Sequence, residues 1–269
     1  MDAKGSVATQ IIAVNTLISS GKINPDDVSM LYVVGEETGG DGMRAANDLD
    51  LKPQTVIFGE PTEGKLASGH KGNLGVTIQA KGKAGHSGYP WLSRSANEIL
   101  VKVLAALMEL AQNLPKSDKY GATTINLGRI EGGVAANVVA QNATASLAVR
   151  IANGSPRLIK AEISNAVDIA VQPFLEDEMP AWEVVDVIFA NKGYGPVDID
   201  ADVPGFENIT VNYGTDIPWF LKTVKDQKRY LYGPGSILVA HSDHEMLTEG
   251  QLWDAVEGYQ KLVLHALGK

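Results

Sequence analysis

A short apolar run that ends in two acidic residues and a glycine-rich turn limits most strongly how this chain can fold. Residues 31–42 read LYVVGEETGGDG, so that Leu31–Val34 suits a buried strand and Glu36 and Glu37 follow it. In an open α/β sheet, ligands bind beyond the carboxyl ends of the strands. Neighbouring residues of an extended chain face opposite ways, so one carboxylate can bind a cation while the other contacts a water or substrate. Alternatively, both acids only stabilise the positive end of a helix at Gly40–Asp48.

Other predicted strands end in a polar residue as well. Thr55–Gly59 is followed by Glu60, and the apolar segment Ser236–Ala240 is followed by His241. Together with a strand predicted at Ser29–Val34, this order predicts a βαβ-type sheet whose functional residues share one edge. Helices are predicted at both ends of the chain: from Lys4 to Ser20 on the pattern Val7, Ile11, Ile12, Leu17, Ile18, and from Thr248, where Gln251 completes a capping box.

The pattern of the sequence changes after Gly72, where Val76–Lys81 alternates apolar and polar residues as a half-exposed strand does. Further strands are predicted at Thr123–Ile130, Ala143–Ile151 and Trp182–Phe189, with helices at Ser93–Gln112 and Pro156–Gln172. Two helices over an antiparallel sheet form a compact α+β unit. We therefore predict that residues 73–190 are an inserted domain between two parts of a first domain, residues 1–72 and 191–269.

Composition narrows the choice of partners and of metal ligands. The chain has 269 residues, a formal net charge of −9 and no cysteine. Scattered lysines and a negative charge argue against nucleic acid, and no apolar run approaches the roughly 20 residues of a membrane span. We expect a small molecule or short peptide as partner. Because the N-terminal residues do not resemble a signal peptide, we expect a cytoplasmic protein.

Asp2, Glu37, Glu60 and His241 are the candidate metal ligands, since without cysteine only His, Asp and Glu can hold a metal. Neutral imidazole is a common metal ligand, and carboxylates would complete a site suited to zinc. A single histidine in such a setting can also be purely structural. The repeated placement of these residues at predicted strand ends favours a metal site.

Several fragments of the sequence occur in an order found in a known family. They are DAKG, VVGEETGG, IFGEPTE, GKAGHSGYP, the GG-x-x-x-N run at Gly132–Asn137, Arg150 and AHSDHE. On this basis the chain resembles the dizinc amidohydrolases and exopeptidases, which include acetylornithine deacetylase, succinyl-diaminopimelate desuccinylase, aminoacylase and carboxypeptidase G. The resemblance covers essentially the whole chain, and GEPTE and GHKG are most similar to the acetylornithine deacetylase type.

The resemblance implies a fold and a set of roles. The fold is α/β: a zinc-exopeptidase-like catalytic sheet domain (residues 1–72 and 191–269) with an inserted α+β lid and dimerisation domain (residues 73–190), through which a homodimer is expected. Asp2 would bridge two zinc ions, Glu37 and His241 would complete the shell of one, and Glu60 would bind the other. Glu36 would be the general base.

The resemblance also assigns roles in the inserted domain. His86 would stabilise the tetrahedral oxyanion, often in the site of a neighbouring subunit, unless it only caps its glycine-rich turn. Asn137 and Arg150 would hold the substrate, with Arg150 suited to a bidentate grip on a free carboxylate. Alternatively, Arg150 only solvates a face of the sheet.

One part of the family's pattern does not occur in this sequence. The family begins with a strand that ends in His-x-Asp and supplies another zinc ligand, and nothing of this kind precedes Asp2. We therefore expect a catalytic domain that is incomplete at its N-terminus, with an unpaired sheet edge and exposed apolar surface. We also expect one zinc ion or none, with Co²⁺ as a substitute, and little hydrolysis by this chain.

The sequence thus predicts a metal-dependent hydrolase that cleaves the amide bond of N-acyl amino acids, impaired by the absent segment. Two alternatives stay open. One is a non-catalytic remnant of the family that dimerises, and the other is a metalloexopeptidase that cleaves dipeptides.

Overall fold

The computed structural model describes residues 1–190 and 192–269, which form two compact units. The first unit contains residues 1–70 and 197–269, and the second contains residues 71–196. The predicted boundary at residues 72 and 73 lies two residues from the observed one. The second predicted boundary, at which the third segment starts, is Asn191, which lies outside the described residues. Within those residues, no helix is both long and apolar enough to cross a membrane.

The described residues form helices and strands in the following order. The helices are α1 (Lys4–Ser19), α2 (Asp41–Ala46), α3 (Ala96–Asn113), α4 (Pro156–Val171) and α5 (Glu249–Ala266). The strands are β1 (Thr55–Gly59), β2 (Leu66–His70), β3 (Gly72–Lys81), β4 (Gly85–His86), β5 (Lys116–Ser117), β6 (Gly121–Ala122), β7 (Thr124–Gly132), β8 (Val138–Val139), β9 (Asn142–Ile151), β10 (Val185–Phe189), β11 (Val197–Asp198), β12 (Asn208–Val211) and β13 (Lys228–Tyr232).

Parallel strand pairs form the centre of the first unit. β1 pairs in parallel with β13, and β12 pairs in parallel with β2, to which β11 adds an antiparallel bridge. Successive residues of β13 face opposite sides. Tyr230 and Tyr232 pack with Tyr259 of α5, whereas Leu231 packs with Met43 of α2. The strands are therefore covered on both faces, as parallel strands require.

Helix α5 is fixed at its beginning and along its length. Thr248 and Gln251 form the predicted capping box, in which the Thr248 hydroxyl accepts from the backbone N–H of Gln251 and the Gln251 side chain accepts from that of Thr248. Further along, the Tyr259 hydroxyl donates to the carbonyl of Tyr232 at 2.7 Å. The capping box satisfies backbone groups that a helix otherwise leaves unpaired.

The second unit is an antiparallel sheet with two long helices. Its strands are ordered β10, β3, β9, β7, and α3 and α4 pack against each other. Both helices begin at a serine cap: the hydroxyls of Ser95 and Ser155 accept from the backbone N–H groups of Glu98 and Leu158. The core contains aliphatic residues of both helices and of the sheet, such as Ile99, Ile163 and Leu147. The mixed α/β fold with an inserted α+β unit is therefore confirmed.

The strand predicted at Ser29–Val34 is wrong. This segment forms neither helix nor strand, and Leu31, Tyr32 and Val34 are 42%, 52% and 80% exposed. Among the described residues β1 pairs with β13 alone. A strand needs a neighbouring strand to satisfy its backbone groups, and β-prone residues without such a partner do not form one.

The strand predicted at Ser236–Ala240 is also wrong. Ser236 makes an isolated bridge with Thr62, and residues 237–240 form a turn in which the N–H of Ala240 donates to the carbonyl of Ile237. Gly235 precedes this turn with a φ of 83°. The left-handed glycine redirects the chain, so an apolar composition is not sufficient to extend it.

Candidate metal centre

The first unit brings Asp2, Glu37 and His241 together, although they are far apart in the sequence. One donor atom of each lies within 4.8 Å of those of the other two. Nε2 of His241 is 2.8 Å from Oε1 of Glu37 and 3.6 Å from Oδ2 of Asp2. Three of the four predicted metal ligands are thus neighbours in the structure.

The glycine-rich turn predicted from the sequence positions Glu37. Glu37 lies in a short 3₁₀ helix, Glu36–Thr38, and the N–H of Gly40 closes the turn on the carbonyl of Gly35 at 2.8 Å. Both glycines have left-handed φ angles, 80° at Gly35 and 76° at Gly40. A side chain at Gly40 would also collide with the ring of Trp219. Glycine is therefore required here for Glu37 to reach its position.

Asp2 and His241 reach the same place from opposite ends of the chain. Asp2 precedes α1, and its side chain is only 11% exposed. His241 follows the turn at residues 237–240 with a φ of 58°. Residues other than glycine adopt such left-handed angles rarely, and strained backbone of this kind is frequent at functional sites.

The donor set fits a zinc ion. One imidazole nitrogen and two carboxylate oxygens are ligands that zinc takes, and three protein ligands leave a position open for water or substrate. The 3.6 Å between His241 and Asp2 is close to the roughly 3.4 Å between two ligands of a tetrahedral zinc ion. Glu37, whose side chain is exposed, lies 2.8 Å from His241.

The pKa values of Asp2 and His241 are both shifted towards the protonated form of the side chain. Desolvation, followed by the charge of Glu37, raises the pKa of Asp2. The hydrogen bond with Glu37 raises the pKa of His241. Because a metal binds these groups in the deprotonated form, a bound cation would oppose both shifts.

Glu36 differs from Glu37 because it is not part of the cluster of Asp2, Glu37 and His241. It is half-buried, and burial, followed by the charges of Asp216, Glu37 and Asp2, raises the pKa of Glu36 to about 7. A general base works best when its pKa lies near the operating pH. Glu36 therefore has the properties of a proton acceptor beside the ligands.

Glu60 lies near the cluster without belonging to it. It follows β1, and its backbone N–H donates to the carbonyl of Tyr232 at 3.4 Å. Desolvation raises the pKa of Glu60 well above its usual value, with the charge of Asp2 as the next cause. The three-residue group includes Asp2 but not Glu60, so the structure does not join Glu60 to the other predicted ligands.

Asp216 is a site residue that sequence reasoning missed. Asp216 is only 5% exposed, and burial raises the pKa of its carboxyl group. The charge of Asp216 in turn raises the pKa of Glu36. Asp216 follows β12 by a few residues, so it repeats the pattern of an acid beyond a strand. That pattern could have identified it.

A large cavity adjoins these residues within the first unit. Its volume is about 1050 Å³, and Asp2, Glu36 and Glu60 are among the residues that line it. Apolar side chains, including Phe58 and Phe220, line other parts. A mainly apolar cavity with a few acidic groups is the usual form of a small-molecule site.

His86 and Asn137 are neighbours in the second unit. His86 pairs with Val138 in the β4–β8 bridge, and the N–H of Ser87 donates to the carbonyl of Asn137 at 3.1 Å. The N–H of Gly88 donates to Nδ1 of His86 at 3.0 Å. Because Nδ1 accepts this bond, the proton of a neutral His86 lies on Nε2, which makes that atom a hydrogen-bond donor.

Arg150 lies elsewhere in the second unit, on β9. It is half-buried and stands opposite Asn73 of β3 and Thr124 of β7. Its position in the sheet is compatible with both readings from the sequence, a carboxylate-binding residue and a residue that solvates the sheet.

The chain is similar to known peptidases. The family model described as the peptidase dimerisation domain of the M20 family matches residues 68–173. An M20 domain-containing protein of Sordaria macrospora is 48% identical over 100% of this chain and 59% of its own length. A probable carboxypeptidase of Aspergillus flavus is 47% identical over 99% of this chain and 64% of its own length. The chain therefore spans about 60% of the length of these curated relatives.

Solved structures share the fold at low sequence identity. An M20 family metallo-carboxypeptidase from Sulfolobus solfataricus has a TM-score of 0.71 at 17% identity, covering 98% of this chain and 76% of that one. An aminopeptidase from Bacillus cereus has a TM-score of 0.70 at 18% identity, covering 99% of this chain and 71% of that one.

Proposed function

We propose that this chain acts as part of a zinc-dependent hydrolase that cleaves an amide bond next to a free carboxylate. It is similar to M20 peptidases along its whole length, and residues 68–173 match the model of their dimerisation domain. The observation that carries this proposal is the convergence of Asp2, Glu37 and His241. Glu36, whose pKa is raised to about 7, lies beside them.

Asp2, Glu37 and His241 are the residues that would hold the metal. A zinc ion held there would supply Lewis-acid chemistry, that is, it would lower the pKa of a water molecule and polarise the substrate carbonyl. Glu36 takes a proton from the attacking water and delivers it to the leaving amine. Glu60 is assigned to a second metal ion by the family resemblance.

The family resemblance assigns substrate binding to three residues of the second unit. His86 would donate to the oxyanion from Nε2, the atom that its hydrogen bond with Gly88 leaves protonated. Asn137 and Arg150 would be the substrate-holding pair, with Arg150 suited to a bidentate grip on a free carboxylate.

We favour a carboxypeptidase over an acetylornithine deacetylase. The relatives that are 47% to 48% identical include several probable carboxypeptidases. Deacetylation of N-acyl amino acids is the narrower version of the same chemistry, since both reactions cleave an amide bond beside a carboxylate. The dimerisation domain supports a homodimer.

Zinc titration and a substrate panel test the proposal together. Zn²⁺ is added to the chelator-treated chain in a calorimeter, and hydrolysis of dipeptides, N-acyl amino acids and N-acetylornithine is measured with and without EDTA. We expect saturable zinc binding, and a low rate of hydrolysis of C-terminal peptide bonds that EDTA abolishes. A chain that binds no zinc and cleaves nothing would instead be a non-catalytic dimerising module.

A further inference from the structure

Glu245 connects the two chain segments that supply Asp2 and His241. Its Oε1 atom accepts the backbone N–H of Asp2 at 3.0 Å, across a separation of 243 residues. Its Oε2 atom accepts the backbone N–H of His241, also at 3.0 Å. The amino group of Met1 donates to Oε1 as well, at 2.5 Å. Both oxygens of one carboxylate are therefore used, one for each segment.

Each of the two segments has a feature that needs support from elsewhere in the structure. Helix α1 begins without a side-chain cap, so its first turn is not held by the usual hydrogen bond. His241 lies in the left-handed region with a φ of 58°, which the surrounding structure must stabilise. Hydrogen bonds from a carboxylate to backbone N–H groups are stronger than neutral ones, so Glu245 suits this task.

We propose that Glu245 is a positioning residue, which holds Asp2 and His241 at the separation that a divalent metal ion requires. The inference rests on the proposed metal centre, because it concerns the ligands of that centre. Glu245 itself is not a ligand. It acts through the backbone of both ligand residues and not through their side chains.

The length and charge of this side chain are both needed. A glutamine keeps the length but presents one acceptor oxygen and one NH₂ group, which cannot accept an N–H. An aspartate keeps both oxygens but is shorter by one methylene group. Leu247 lies so close to Gly5 of α1 that a methyl group on Gly5 would collide with it, and this packing between the two segments does not involve Glu245.

The first experiment compares metal affinity among variants at this position. Zn²⁺ binding is measured by calorimetry for the wild type, Glu245→Ala, Glu245→Gln and Glu245→Asp, and Co²⁺ absorption spectra report the ligand geometry. Glu257→Gln, an exposed residue of α5, is the matched control. We expect Glu245→Ala to weaken zinc binding by about 10- to 100-fold, as for other residues that orient metal ligands. The Co²⁺ spectrum should change in this variant and recover partly in Glu245→Asp.

The second experiment separates this inference from the proposed function. Hydrogen exchange is followed in peptides that cover residues 1–6 and 239–243 of the metal-free chain. Faster exchange in both segments of Glu245→Ala, with unchanged exchange in α3, supports the positioning role. This holds even if the wild type binds no zinc, because the lack of zinc binding would overturn only the metal centre. The positioning role would be overturned if both proteins bind zinc with equal affinity, or if exchange is unchanged in both segments.

Discussion

The imidazole of His241 and the carboxylate of Glu37 are in hydrogen-bond contact at 2.8 Å, although 204 residues separate them in the chain. Both side chains are largely exposed. An exposed pair of this kind adds little to stability, so its formation points to a role other than holding the fold together.

Removal of His241 tests the metal centre directly. We expect His241→Ala to weaken Zn²⁺ binding by at least about 100-fold, because it deletes a ligand and not merely a group that orients one. Calorimetry on the chelator-treated protein measures the change. His265→Ala, an exposed histidine on α5, should bind zinc like the wild type. Equal losses in both variants would mean that zinc binds elsewhere.

Glu36 is expected to affect turnover and not metal binding. Glu36→Gln keeps the size of the side chain but cannot accept a proton, so kcat should fall by about 10²- to 10⁴-fold. Zinc affinity should stay within about threefold of the wild type, since Glu36 is not in the ligand group. A parallel loss of zinc affinity and kcat would assign Glu36 to the metal and not to proton transfer.

The metal-free protein should lose stability as the pH rises from 5 to 8. The pKa of Glu36 is about 7 in the folded chain and about 4.3 in an unfolded one, so the folded state holds its proton more tightly. Stability from this group is complete below the unfolded pKa and is lost as the pH rises through the folded one. The raised pKa values of Asp2, Glu60 and Asp216 act in the same direction.

Urea unfolding in EDTA measures this loss of the free energy of unfolding. We expect Glu36 to contribute about 1–2 kcal/mol, a value reduced because solvent screens this partly exposed group. Glu36→Gln should flatten the profile, and added Zn²⁺ should oppose the loss, because a metal favours ionised ligands. Asp27 and Asp202, whose pKa values are lowered, stay ionised throughout this range. A metal-free stability that is flat or increasing would contradict the prediction.

Gly258 of α5 should not tolerate a side chain. A methyl group there would collide with the ring of Tyr232, which is 2% exposed and packs edge-on against Tyr259. We expect Gly258→Ala to lower the free energy of unfolding by about 1–3 kcal/mol. Gly250→Ala is the matched control in the same helix, because the nearest atom to a methyl group there would be the Thr248 hydroxyl, at 4.0 Å. It should be neutral or stabilising by up to about 1 kcal/mol.

The proposed homodimer can be tested on the outer face of α3, which lies within the matched dimerisation domain. Val101 and Met108 are 67% and 58% exposed on this helix and lie two turns apart on one side of it. We expect the double variant Val101→Lys, Met108→Lys to be a monomer by light scattering at concentrations where the wild type is a dimer. Lys102→Gln should remain a dimer. A wild-type monomer would contradict the proposal.

The sequence was most informative where each element carries its own signal. Helices α3, α4 and α5 were predicted to within a few residues, because an amphipathic period and a capping residue are local features. Helix α1 was also found, but only part of its buried side: Leu17 of the predicted pattern is buried. Its predicted apolar residues Ile11 and Ile12 are 39% and 42% exposed, whereas Ala13 and the small residues Ser6 and Thr9 are buried. Small residues permit close packing and leave no hydrophobic pattern to detect.

The sequence was least informative where a feature depends on distant parts of the chain. The segments Ser29–Val34 and Ser236–Ala240 have the composition of strands, but a strand exists only with a partner. The convergence of Asp2, Glu37 and His241 was expected because acids and a histidine follow apolar segments. Glu245 gives no such signal, since a carboxylate that binds backbone N–H groups resembles any exposed glutamate.

The left-handed backbone of His241 creates a conflict between thermal stability and metal binding. A glycine would adopt the φ of 58° found there with about 1–2 kcal/mol less conformational penalty. Screening variants of this protein only for heat resistance would therefore favour replacement of the one imidazole that faces Glu37 and Asp2. Engineering that preserves chemistry has to leave this unfavourable geometry in place and seek rigidity elsewhere.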